Sequence, residues 1–175
     1  MCYNIVSPWE YKACLIQREK LHRMMIQGKA HWAKIVGEPV GGYPNGKGPK
    51  EWSVDIEVDK ATIAKLMEAG MDEKYLKTSK DGKYQFIKFV RKELKFDGKP
   101  GKPFKIVARD RSEWPQDVKI GNGSVMNVKM DIQEVEGSGA MKPKAFSFQV
   151  WEHVPYEGGE EFPVGEPEDW TGDEA

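Results

Sequence analysis

The chain has 175 residues, with 27 Lys and Arg set against 28 Asp and Glu, enough for one domain with a proper core plus appendages. No apolar run approaches the roughly 20 residues of a membrane span. The N-terminus lacks the basic, apolar and small-residue order of a secretory signal, so a cytoplasmic protein is expected.

The charge is unevenly divided. From residue 157 to 175 there are eight acidic residues and no Lys or Arg, which leaves 20 acidic against 27 basic residues, a net +7, in residues 1–156. Such a body favours polyanions, and such a tail is a common interaction segment whose composition does not build a core. Cys2 and Cys14 are the only cysteines, and His22, His31 and His153 lie far apart, a pattern that offers no zinc site and suits free thiols.

Residues 1–23 show no sustained period, and Met24-Met25 follow them. Residues 1–28 therefore read as an N-terminal extension outside the core. Ala30–Val36 reads as a strand, followed by a loop over residues 37–50 that is dense in Gly and Pro. The Gly41-x4-Gly46-Lys47 spacing approaches a phosphate-cradling loop. The next residues are Gly48-Pro49, not Ser or Thr opening a helix, and the match fails. Trp52–Val58 alternates as a strand. Asp59 reads as an N-cap for a helix over Lys60–Ala69 that stops at Gly70. A second short helix over Met71–Thr78 and a turn at Asp81-Gly82 precede the longest strand candidate, Lys83–Leu94. Phe104–Ala108 is a further strand, after the turn-forming segment 98–103.

The most organised stretch is Asp117–Val135. Its Gly121-Asn122-Gly123-Ser124 forms a turn, and Met126, Val128, Met130 and Ile132 then alternate with Asn127, Lys129, Asp131 and Gln133. Gly137-Ser-Gly139 ends that strand, and Ala145–Val154 makes the last one. One helix after the second strand, among six short strands, implies a small closed or nearly closed antiparallel β-barrel.

Rings and cations interleave on several strands. Residues 83–94 place Tyr84, Phe86, Lys88 and Lys92 on one face and Ile87 and Phe89 on the other. The second face is the natural core, which leaves Tyr84 and Phe86 outside between lysines, or packed beneath a loop or the helix. Trp32 with Lys34, and Arg109 and Arg111 with Trp114, repeat the pairing, and Lys105, Arg109 and Lys129 fall on outward phases. Rings that stack on bases and cations that neutralise phosphates are what single-stranded nucleic acid requires. Asp55, Glu57 and Asp59 share a strand face, so a metal-dependent nuclease acting through Asp55 and Glu57 is the alternative. The same residues also complete the alternation of a wet face. A protein-interaction module is a third reading.

The strand order, Asp117-x-x-Ile120-Gly-Asn-Gly-Ser124 leading into an alternating strand, the final Phe146-Ser-Phe-Gln-Val-Trp151 and the acidic tail together resemble the single-stranded-DNA-binding proteins of tailed bacteriophages. The resemblance covers about residues 29–156. It implies an all-β OB-fold of five to six antiparallel strands, without catalytic residues, metal or cofactor. It also implies sequence-independent binding and protection of single-stranded DNA in replication and recombination. The tail, 157–175, would compete with DNA for the basic groove and recruit a phage DNA polymerase, helicase or other replication protein. Glu168, Asp169 and Trp170 are the residues placed to do so, although the ring lies five residues before the end. A homodimer is left open and a membrane is not expected.

Overall fold

The computed structural model describes residues 23–42 and 46–156. The extension before residue 23, the tail and its Glu168, Asp169 and Trp170 lie outside the described residues. Among those described, eight strands form one sheet that is not closed. They are β1 (Met24–Lys34), β2 (Val40–Gly41), β3 (Lys50–Val58), β4 (Leu76–Thr78), β5 (Gln85–Lys92), β6 (Lys105–Val107), β7 (Val125–Glu134) and β8 (Met141–Glu152). The order across the sheet is β4-β5-β3-β1-β7-β8-β6, with β2 paired to β3.

β1 makes the sheet curl into a barrel. Its first half pairs with β7, from Met24 opposite Met130 to Lys29 opposite Val125, and its second half pairs with β3, Ala30 opposite Ile56. Gly28 sits at this crossing, where an added Cβ would collide with the Glu57 carbonyl, so only glycine lets the two halves meet. The strand therefore begins at Met24, and the boundary expected at residue 28 falls inside it.

The alternation places the core as expected. Met126, Val128, Met130 and Ile132 are buried, as are Trp52, Val54, Ile56, Val58, Ile87 and Phe89. Phe148 joins the two halves through edge-on contacts with Phe89 and Phe104, at 6.0 and 5.0 Å between centroids. Each such side chain stabilises the fold by about 1.5–3 kcal/mol through removal from water. Helix α1 (Lys60–Glu68) starts where the Asp59 carboxylate accepts from the Thr62 N–H at 2.7 Å, and it buries Leu66. Gly70, at φ +94°, ends it.

Two expectations are corrected. The second helix is a single 3-10 turn, Glu73–Tyr75, after which β4 pairs with β5. The sheet is mixed, because β6 runs parallel to β8. A parallel pair needs a long connection, and residues 108–140, including all of β7, supply it. The barrel stays open between β5 and β8, where no ladder of hydrogen bonds forms. Arg91 spans this gap, its guanidinium donating to the carbonyls of Pro103 and Ala145 at 3.1 and 3.0 Å.

Candidate nucleic-acid interface

The Gly-Asn-Gly-Ser turn does more than reverse the chain. Ala30 donates to the Ser124 carbonyl at 2.7 Å and Gly123 donates to the Ala30 carbonyl at 2.8 Å. The buried Ser124 hydroxyl donates to the Gly121 carbonyl at 2.8 Å and accepts from the Val154 N–H at 2.9 Å. The Asn122 side-chain oxygen accepts from the Trp32 N–H at 2.7 Å. Trp32 has φ +52°, a conformation unusual for a bulky residue, and the turn holds it there beside an irregularity in β1. The indole is left 65% exposed.

Next to it, the outward positions of β1, β3, β5 and β4 line up in rows. His31 faces Asp55, which faces Lys88, and Glu57 faces Phe86, which faces Lys77. The His31 ring stacks on Tyr84 at 4.3 Å and 10°, and Tyr84 packs tilted against Phe86 at 6.0 Å. The His31 Nε2 lies 3.0 Å from the Glu57 carboxylate, which fixes the ring. Three aromatic side chains thus form one half-buried outward column. Burial pushes the Asp55 carboxyl up, against the pull of Lys88, Lys77, His31 and Lys34. Burial, reinforced by Asp55, Asp81 and Glu57, raises the Tyr84 phenol above its ordinary value. Beside the column a groove of about 230 Å³ opens between Lys34, Lys88, Ser53 and the glycines at 41, 42 and 46.

The opposite face belongs to β1, β7, β8 and β6. One row carries Met25, Lys129, Ser147 and Lys105, and the next carries Gln27, Asn127, Gln149 and Val107. Gln27 donates to Asn127 at 2.9 Å, Asn127 to Gln149 at 3.0 Å, and Gln149 to the Arg109 carbonyl at 3.0 Å. The Arg109 guanidinium lies 4.1 Å above the Trp151 ring.

The expected site residues therefore separate. Trp32, Lys34, Tyr84, Phe86 and Lys88 share the first face. Lys105, Arg109 and Lys129 belong to the second, and Lys92 lies at the open seam. Arg111 occupies an exposed turn at φ +71°. Trp114 is not a surface ring. It is buried, its indole donates to the Val118 carbonyl at 2.8 Å, and its edge contacts His153 at 5.0 Å. Proximity to arginines in sequence was misleading, because the loop turns the indole inward where its N–H finds a carbonyl. His31 and Trp151 were missed. A ring two residues from a lysine was the signal for His31, and Trp151 is the next-to-last residue of β8.

The carboxylates of the nuclease alternative are each engaged separately. Asp59 caps α1, Glu57 meets His31 and Asp55 is flanked by lysines. Among the described residues no three His, Cys, Asp or Glu side chains group to hold a metal.

No family model matches the sequence, and neither does any curated protein. Solved structures do match. The single-stranded DNA-binding protein of bacteriophage Enc34, in complex with single-stranded DNA, aligns with a TM-score of 0.55 at 11% identity, over 79% of this chain and 91% of that one. The fold is that of the phage single-stranded-DNA-binding proteins. The single-stranded DNA binding protein gp2.5 of bacteriophage T7 aligns with a TM-score of 0.50 at 14% identity, over 82% of this chain and 97% of its own.

Proposed function

We propose that this protein binds single-stranded DNA without sequence preference and protects it during phage replication and recombination in the host cytoplasm. The observation that carries this reading is the ring column His31–Tyr84–Phe86, flanked by Lys34, Lys77 and Lys88 and by the exposed Trp32. It runs from β1 to the start of β5 across the outer side of β3, and OB-folds bind oligonucleotides on a strand face of this kind. Every base has a π-face, so stacking of this kind tolerates any sequence, while the lysines neutralise phosphates. Association of an Enc34 protein of the same fold with single-stranded DNA supports the reading.

The acidic tail enters the same proposal through its charge. Eight carboxylates joined to a body of +7 compete with phosphates for the same lysines, and Trp170 with Glu168 and Asp169 offers an anchor for a basic replication partner. Titration of tryptophan fluorescence with oligo-dT at two salt concentrations tests the core of it, with and without magnesium. Saturable quenching whose affinity falls with salt, without degradation of the oligonucleotide, is expected. An affinity independent of salt, or cleavage in magnesium, would overturn it.

A further inference from the structure

The open seam between β5 and β8 is the most uniformly cationic concavity among the described residues. It encloses about 480 Å³, within the roughly 300–1,000 Å³ of ligand sites. Arg91, Lys92, Lys95, Lys102, Lys142 and Lys144 line it, and no Asp or Glu does. The ring face, in contrast, mixes Lys34, Lys77 and Lys88 with Glu51, Asp55 and Glu57.

Aromatic rings accompany the charge. Phe104 lies under the Arg91 guanidinium at 4.6 Å, Phe146 lines the wall, and Phe96 stands fully exposed. Phe96 is held out by a tight hairpin. Lys95 donates to the Lys99 carbonyl at 2.8 Å, Gly98 donates to the Lys95 carbonyl at 2.9 Å, and the Asp97 side chain accepts from the Lys99 N–H at 3.0 Å. A large apolar ring displayed by an ordered turn beside lysines loses hydrophobic free energy unless something flat covers it. The lysines themselves are crowded. Burial together with Lys144 and Lys92 pulls the Lys142 ammonium below its ordinary range, and an anion in the seam would relieve that.

The seam is continuous with the ring face. Phe86, Lys88, Val90 and Lys92 alternate along the outer side of β5, and Val90 and Lys92 also line the seam. Six residues of strand cover roughly 20 Å. We propose that a nucleic-acid single strand leaving the ring column follows β5 into the seam, where the lysines hold its phosphates and Phe96 stacks on a base. This inference rests on the proposed function, and it extends the interface to residues that no strand alternation marks.

The test compares the full chain with Lys95→Ala/Lys102→Ala and with Phe96→Ala. The probes are oligo-dT of about 4 and about 16 nucleotides, the two ends of the site-size range of OB-folds. All of these positions are exposed, and melting curves confirm folding. The lysine pair should lower the salt slope of the longer oligonucleotide by about 1.4, at roughly 0.7 per phosphate, and leave the shorter one unchanged. Phe96→Ala should weaken the longer one about 5- to 150-fold, the equivalent of one stacked base. Unchanged binding of both lengths by both variants would overturn the seam while leaving the ring face standing. Failure of the wild-type chain to bind either length would remove both proposals. Normal oligonucleotide binding with loss of binding to a synthetic peptide of residues 157–175 would make the seam an acidic-peptide site and overturn the nucleic-acid reading.

Discussion

On one side of the barrel His31 stacks on Tyr84 and Tyr84 packs on Phe86. On the other, Gln27, Asn127 and Gln149 hydrogen-bond one to the next. Both arrays lie on the outer side of the sheet, the amides as direct cross-strand partners and the rings as neighbours from different rows. They differ in what they leave unsatisfied. The amides spend donors and acceptors on each other and end on the Arg109 carbonyl, while Arg109 covers the Trp151 ring. The rings make no hydrogen-bonded chain among themselves and have lysines around them. An outward row becomes a binding face when its members cannot satisfy one another.

The largest difference is expected between a buried indole and a displayed one. Trp114→Ala empties a core site and should cost about 3–5 kcal/mol of stability, read from denaturant unfolding. Trp32→Ala should stay within about 0.5 kcal/mol of wild type in the same measurement. It should instead weaken oligo-dT binding by about 1–3 kcal/mol. Stability loss at Trp32 with unaltered binding would reverse the assignments of the two indoles.

Tyr84→Ala and Phe86→Ala should each weaken binding by about 1–3 kcal/mol, measured on protein shown to be folded. Gln149→Ala, in the amide row, should leave binding unchanged. Equal losses on both faces would abolish the distinction between them. Salt dependence sharpens it further. Lys105→Ala/Lys129→Ala should leave the log–log salt slope as it is, whereas a fall of about 1.4 would bring the β7–β8 face into the interface.

Asp55 gives the smallest effects. Its carboxyl is raised above the ordinary value of 3.8, chiefly by burial, so the folded chain holds this proton more tightly than the unfolded one. Its contribution to stability should therefore fall as pH rises from the ordinary carboxylate range through the raised value, and stay level above it. Asp55→Asn should abolish that decline in melting temperature against pH. The same substitution removes an anion from the ring face. At roughly 10 Å from a phosphate in water that is worth ~0.4 kcal/mol, about a twofold tightening at low salt. Weaker binding by Asp55→Asn would mean that the carboxylate orders the lysines around it instead of opposing the strand.

Local pattern was enough to show which residues of Trp52–Val58 and of Met126–Ile132 face the core. A period of two in Trp52–Val58 and in Met126–Ile132 admits one partition, and burying apolar side chains enforces it. The sequence by itself also determined the Asp59 cap, the Gly70 stop and the charge division between body and tail, because these depend on residues within a few positions of each other. Tertiary structure alone decided which outward residues share a row. His31 meets Tyr84 across 53 positions, and Gln27 meets Asn127 across 100, through register that no local pattern encodes. It decided too that Trp114 turns inward, that β6 runs parallel to β8, and that Lys95, Lys102, Lys142 and Lys144 surround one cleft. Charges and rings are placed by where the chain returns, and burial, which is what a hydrophobic pattern reports, is indifferent to the neighbours it brings to the surface.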